Sequence, residues 1–132
     1  MVTEYFLNMI LGNVFHSADV MPLPDRYYVA LSATMPNGDG SGVAEPSGGA
    51  YSRAVMTSMG PPSGGVISNA EDIEFPESTD NWGMITAYVI YDAAVGGNVL
   101  AFDSLTTAQD IVADNQARFK SGAIKITLEN KQ

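Results

Sequence analysis

The chain has 132 residues, a length typical of one domain, and 45% of them are apolar, which argues against disorder. Six basic and 15 acidic residues give a net charge of −9, so the chain lacks the basic face that a nucleic-acid-binding protein requires. Cysteine is absent, which excludes disulfides, thiolate zinc sites and cysteine nucleophiles, and His16 is the single histidine.

The first predicted element is an N-terminal helix over residues 1–16. Apolar side chains recur in it at helical spacing and form one broad stripe: Phe6, Leu7, Ile10, Leu11 and Val14. Thr3 is a suitable N-cap, and the prolines of the extended segment Met21–Pro24 prevent the helix from continuing. Tyr5 and Met9 extend the apolar character around most of the circumference. We therefore expect one face to pack on its own domain and the stripe to form a homo-oligomer interface.

Beyond residue 25 the apolar period changes from that of a helix to two. Alternation, aromatic and β-branched residues, and glycine-proline punctuation predict about eight short strands. These strands are Arg26–Thr34, Tyr51–Met59, Val66–Ile67, Asp72–Phe75, Gly83–Tyr91, Val99–Leu105, Ala117–Lys120 and Ala123–Leu128. They predict an all-β fold, an antiparallel sandwich or jelly-roll-like domain over residues 26–128. Together with the helix they predict a single domain over residues 1–132.

Gly83–Tyr91 has the strongest strand pattern. Alternation predicts one face made of Ile85, Ala87, Val89 and Tyr91 and another made of Met84, Thr86, Tyr88 and Ile90. Both faces are largely apolar, which predicts a central strand covered on both sides. Asp92–Asn98 follows as a hairpin loop, and the polar segment Thr106–Gln116 is expected to be a loop or a short turn of helix. Met35–Gly49 and Gly60–Gly65 are predicted to be a loop and a turn.

Several groups of residues suggest chemistry, and each has a simpler structural interpretation. Asn37–Ser41 places oxygen side chains at alternate positions as a calcium loop does, but it lacks the distal glutamate, which favours a surface turn. The acidic residues of Glu71–Asp80 are candidates for a cation site or for glycoside hydrolysis, but on a strand they share a solvated face. His16, with Ser17 and Asp19 nearby, is expected to be a helix-end histidine and not part of a triad.

The aromatic residues suggest a sugar-binding platform, although at alternating strand positions they more often form the core or an interface. They are Tyr27, Tyr28, Tyr51, Trp82, Tyr88 and Tyr91. The glycine pairs Gly48-Gly49 and Gly64-Gly65 match no phosphate-binding pattern, and we expect no cofactor. No apolar run approaches the ~20 residues that span a bilayer, and the first ten residues lack the basic charge of a secretory signal. We therefore expect neither membrane insertion nor a signal peptide.

Four segments occur in an order and spacing that is distinctive as a set: Arg26–Thr34 after the helix, Glu45–Thr57, Ser68–Thr106 and Ala117–Leu128. Their most specific parts are Ser47-Gly48-Gly49-x-Tyr51-x-Arg53, then Trp82-Gly83, Tyr91-Asp92 and Gly96-Gly97-Asn98. Nearly end to end, the chain resembles a family of small phage and prophage structural proteins described as tail fibre or head fibre proteins.

The resemblance implies a non-enzymatic virion structural protein, fibre-like or a capsid decoration on the particle surface, assembled in the bacterial host cytoplasm. It implies no catalytic residues. Because fibre proteins are commonly trimeric, it also implies that the predicted homo-oligomer is a trimer that contacts other virion proteins. The alternative is a carbohydrate-binding host-recognition module that binds a cell-surface glycan, and a third hypothesis is a glycan hydrolase that uses Asp72 or Glu74.

Overall fold

The computed structural model describes residues 1–16 and 22–128 and contains one helix followed by strands. The elements are α1 (Glu4–Phe15), β1 (Tyr28–Ser32), β2 (Ala54–Val55), β3 (Val66–Ser68), β4 (Ile73–Glu74), β5 (Gly83–Tyr91), β6 (Val99–Ile111), β7 (Arg118–Phe119) and β8 (Lys125–Thr127). The predicted all-β fold with an N-terminal helix is confirmed. Ser17, Asp19, the start of the segment Met21–Pro24 and the last four residues of the predicted domain lie outside the described residues.

The strands form a four-stranded antiparallel sheet and two two-stranded ribbons. The order in the main sheet is β2-β1-β5-β6, and the ribbons are β3-β8 and β4-β7. β5 pairs with β1 on one side, where Ala30 lies opposite Val89, and with β6 on the other, where Val89 lies opposite Phe102. The prediction that Gly83–Tyr91 is central is therefore confirmed.

Both faces of β5 are covered, as predicted. On one face the ribbons complete the larger apolar cluster, which includes Leu31, Ile73, Phe75, Tyr88, Ile90 and Ile124. The Tyr88 ring meets that of Phe119 at 5.6 Å between centroids, and its hydroxyl donates to the Lys125 carbonyl at 3.2 Å. On the other face Ala30, Val89 and Phe102 form a smaller cluster, which Val43 covers from the long loop before β2.

The prediction that Thr106–Gln116 is a loop or short helix is wrong as far as Ile111, because β6 continues to that residue. Gly83 pairs with Ile111 and Ile85 with Gln109, so the first residues of β5 provide the backbone partners that keep this polar segment extended. Between Ile85 and Ala87 the register shifts, and residues 105–108 of β6 lie opposite a single β5 residue. Such a bulge interrupts alternation.

The bulge also changes which residues share a face of β5. Ile85 belongs to the larger cluster with Tyr88 and Ile90, although strict alternation predicts that it joins Val89. The predicted strand Tyr51–Met59 is likewise shorter in the structure, where only Ala54 and Val55 pair with β1. A strand without a partner on most of its length has no ladder to hold it extended.

Candidate interaction site

Helix α1 is attached to the sheet through the first three residues of the chain. The Met1 ammonium donates to the Phe102 carbonyl at 2.7 Å, and the Thr3 amide donates to the Leu100 carbonyl at 2.9 Å. Thr3 is fully buried, and its hydroxyl donates to the Val99 carbonyl at 2.7 Å while accepting from the Phe6 amide at 3.2 Å. The predicted N-cap is therefore confirmed, and it fixes the helix beside β6.

The helix uses only part of its apolar surface on its own chain. Met9 is its buried residue, and α1 packs against β6. Leu7 and Leu11 lie about half a turn away from Met9 at 100° per residue, on the side that faces solvent. Exposure of the outward side chains reaches 39% at Leu7, 56% at Leu11, 63% at Val14 and 81% at Phe15. We call these four residues the outer helix face.

The outer helix face overlaps the predicted interface without coinciding with it. Three of the five stripe residues are exposed, while Phe6 and Ile10 are partly buried because they lie nearer the side that packs on β6. Phe15 was not part of the predicted stripe, yet it is the most exposed large apolar side chain of the helix. An uncovered apolar helix face of this kind is typical of a protein-protein contact.

A second notable feature is a buried ion pair that joins two loops. The Arg53 side chain is 7% exposed and binds Glu45 in a bidentate manner, with Nη2 at 2.7 Å from Oε1 and Nε at 3.1 Å from Oε2. Its Nη1 donates to the carbonyls of Ala93 and Gly96 in the β5–β6 hairpin, both at 2.7 Å. The guanidinium lies 3.5 Å from the centroid of the Tyr91 ring. The pair therefore holds the hairpin and the loop before β2 in one arrangement.

Tyr51 completes the surroundings of this pair. Its hydroxyl donates to Glu45 Oε2 at 2.6 Å and accepts from the Leu31 amide at 3.1 Å, which links the pair to β1. Burial acts to raise the pKa of Glu45, but the hydrogen bonds from Arg53 and Tyr51 outweigh it, so this pKa lies below its ordinary value. Burial, followed by the hydrogen bond to Glu45, raises the pKa of Tyr51. Glu45 and Arg53 thus bind each other and neighbouring groups of the same chain.

The candidate calcium loop is closed by its own side chains. Asp39 Oδ1 accepts from the Ser41 amide at 3.0 Å and from the Ser41 hydroxyl at 2.6 Å, and Asn37 Nδ2 donates to Ser41 Oγ at 3.0 Å. Gly40 has a φ of +86°, and a Cβ there would lie 2.9 Å from Val99 Cβ. The turn therefore packs closely on the start of β6, consistent with the surface-turn interpretation.

The acidic residues of Glu71–Asp80 have separate surroundings. Glu74 pairs with Arg118 at 3.0 Å on the surface, and Asp72 accepts from the Ser121 amide at 2.9 Å. Within residues 1–16 and 22–128, no three histidine, aspartate or glutamate side chains are grouped so that they could hold a metal ion. The structure thus gives Asp72 and Glu74 roles in joining β4 to the segment around β7.

The sequence favours the core or interface interpretation over a sugar-binding platform for the six aromatic residues, and the structure buries three of them. Trp82, Tyr88 and Tyr91 are buried, and Trp82 donates from Nε1 to the Gly49 carbonyl at 2.8 Å. Gly49 has a φ of +59°, and a Cβ there would lie 3.0 Å from Trp82 Nε1. The glycine thus allows the indole to approach, and the core interpretation of these aromatic residues is confirmed.

His16 ends α1, as predicted: its amide donates to the Gly12 carbonyl at 2.9 Å. The neighbouring Ser17 and Asp19 lie outside the described residues. None of the helices that the structure describes has the length and apolarity needed to cross a membrane.

The sequence model of one family matches residues 1–127, and that family is described as podophage GP4 fiber I protein gp80. The match includes α1, all eight strands described above and the Glu45–Arg53 pair. No curated protein matches the chain.

Proposed function

The chain belongs to the podophage GP4 fiber I protein gp80 family, and from this premise we propose that it is a non-enzymatic structural protein of the virion surface. The coarser conclusion, that it is a phage fibre-family protein and a virion component, follows from the match over residues 1–127. We propose further that the chain is a fibre-like or decoration component exposed on the particle and that it is assembled in the host cytoplasm.

The absence of an enzymatic role is supported by how the charged groups are used. Glu45 and Arg53 hold loops together, and Glu74 forms a surface pair with Arg118. A glycan hydrolase using Asp72 or Glu74 requires two carboxylates on either side of a sugar. Asp72 instead accepts a backbone amide hydrogen bond, so these carboxylates act in our proposal as structural groups.

We further propose that the chain forms a homotrimer through the outer helix face and the rest of the predicted stripe. The exposure of Leu11 and Val14 supports association, because such side chains gain free energy when a neighbouring subunit covers them. The number three comes from the fibre family and not from the geometry. In a closed trimer the helix of each subunit would lie near the threefold axis and contact the helices of both neighbours.

Light scattering at micromolar concentration tests this association. The wild-type mass should be three times the 14.0 kDa of one chain. Replacing Leu11 and Val14 by lysine should give a monomer, because charges would be buried at the contact. Val95→Lys is the matched control, since Val95 is 88% exposed in the β5–β6 hairpin and is not part of α1. A wild-type monomer would overturn the association, whereas a dimer would overturn only the trimer.

The virion assignment has its own test. An antibody against the chain should detect it in gradient-purified particles of the phage or prophage that encodes it. Detection only in the lysate, with none in the particles, would contradict the assignment. The second candidate function, glycan binding, is supported by a groove beside β6.

A further inference from the structure

A groove of about 590 Å³ opens at the bulge of β6. It lies between the bulged half of that strand, residues 104–111, and the segment 115–119, which ends with β7. Because residues 105–108 face a single β5 residue, this half of β6 departs from the regular ladder and leaves space beside it. The volume is in the range of small-molecule sites.

The bottom of the groove is apolar and belongs to the main core. Leu31, Ile85 and Tyr88 line it and are at most 5% exposed, and Ile111 is also buried. The partly exposed ring of Phe119 adds an aromatic surface, held by its contact with Tyr88. Because the base residues are almost fully covered by their neighbours, the partly exposed side chains of Leu105 and Phe119 provide the apolar surface that C–H groups of a ligand could contact.

The walls are polar and hold hydrogen-bonding groups that the protein does not use. Among the described residues, the hydroxyls of Ser104, Thr106 and Thr107 and the carboxylate of Asp110 make no hydrogen bond to one another or to other groups. Gln109 uses its amide nitrogen on the Thr107 carbonyl at 3.3 Å, which leaves its amide oxygen as an acceptor. Hydroxyl groups both donate and accept, so these walls match a ligand that does the same.

Charge narrows the class of ligand. Arg118 is the basic side chain that lines the groove, and it is already paired with Glu74 at 3.0 Å. Asp110 lies on the opposite wall, and no Lys or Arg occurs between residues 54 and 117. A phosphate, sulfate or uronic acid would therefore find no unpaired cation among the residues that line the groove, and the Asp110 carboxylate would oppose its binding.

We propose that this groove is a binding site for a neutral carbohydrate. The C–H face of a sugar would lie over Phe119 and Leu105, and its hydroxyls would bond to Thr106, Thr107 and Asp110. None of the residues that line the groove belongs to α1, so the groove and the outer helix face are separate sites. It is also independent of whether the chain is a fibre or a decoration protein.

The test uses the full chain on an array of defined saccharides. Neutral hexose and N-acetylhexosamine oligosaccharides are compared with sulfated and uronic-acid oligosaccharides. The wild-type chain should be retained on at least one neutral glycan and on none of the anionic ones. Thr106→Val with Thr107→Val keeps the shape of the wall but removes its hydroxyls, and should weaken that binding by about tenfold or more in calorimetric titration.

Two tryptophan variants separate the groove from the rest of the surface. Ala123 is exposed and lines the groove, so Ala123→Trp should block it and abolish binding without disturbing the core. Ala108 is exposed on the same β6 bulge but does not line the groove, so Ala108→Trp should bind as the wild type does. Both should melt at the wild-type temperature.

The proposal is overturned if no neutral glycan retains the wild-type chain, or if Ala123→Trp binds as the wild type does. It is also overturned if Ala123→Trp changes the mass in light scattering while no glycan is bound, because the groove would then hold a segment of a second copy. None of these results bears on the detection of the chain in purified particles, so the virion assignment is tested separately.

Discussion

Replacing Arg53 by methionine should destabilise the protein more than any other single change of a basic residue. The substitution keeps an apolar chain of similar length beside Tyr91 but removes the charge. Glu45 then loses its bidentate partner, and the carbonyls of Ala93 and Gly96 lose their donor. These contacts join the loop before β2 to the β5–β6 hairpin, two loops that no strand ladder connects to each other.

The expected cost follows from the burial of the pair. Breaking a fully buried ion pair costs about 3–5 kcal/mol, because one charge is left without a partner. The Glu45 side chain is 23% exposed, so water partly solvates the remaining carboxylate and places the cost near the lower limit, at about 3 kcal/mol. With a urea slope of about 1.5 kcal/mol per molar, the midpoint of unfolding should fall by about 2 M.

The chain contains a matched control for this measurement. Arg118 pairs with Glu74 at a similar distance, but both side chains are about half exposed. Arg118→Met should therefore cost no more than about 0.5–1 kcal/mol. Combining Arg53→Met with Glu45→Gln should cost less than the sum of the single changes by about 1–3 kcal/mol. Equal effects of Arg53→Met and Arg118→Met in urea would refute the reasoning.

The remaining predictions concern pH, a close backbone approach and the helix cap. Because the pKa of Glu45 is lower in the folded protein, ionised Glu45 should contribute its full stabilisation above the unfolded pKa of about 4.3 and lose it as the pH falls through the folded pKa. The free energies of unfolding of the wild type and of Glu45→Gln, measured in urea, should therefore become equal toward pH 2. Gly65→Ala should lower the free energy of unfolding in urea by at least about 2 kcal/mol, since the new Cβ would meet the Leu128 carbonyl. Gly64 also has a positive φ but has open space beside it, so Gly64→Ala should lower it by only about 1 kcal/mol. Equal losses for the two variants would contradict this account. Thr3→Val removes the capping hydroxyl and should lower the free energy of unfolding by about 1–2 kcal/mol in thermal unfolding. Thr3→Ser keeps the hydroxyl and should retain most of the wild-type stability. Equal stabilities of the valine and serine variants would contradict a role for the hydroxyl.

Much of the fold was predictable because it is encoded in local patterns. The apolar repeat of α1 with Thr3 as its cap, and the alternation of Gly83–Tyr91, each identify an element without knowledge of its neighbours. The second half of β6 was not predictable in this way. Its residues Thr106–Asp110 are all exposed and four of the five are polar, and they are extended only because the start of β5 pairs with this half of the strand.

The candidate sites differ in the same respect. An apolar helix stripe is visible in the sequence, but which part of it stays uncovered depends on how α1 packs on β6, which brings Met9 inward and leaves Phe15 exposed. Arg53 was visible only as part of a distinctive motif, because its hairpin partners lie 40 and 43 residues away. The groove arises from a register shift, which no local pattern reveals.

Immunogold electron microscopy of intact, purified particles tests the central claim most directly. If the chain is a structural component of the virion surface, an antibody against the folded protein should label particles at regular positions without prior disruption. Preincubation with the purified chain should abolish the labelling. Unlabelled intact particles that also lack the chain after disruption would contradict the account, and labelling that appears only after disruption would contradict its surface position.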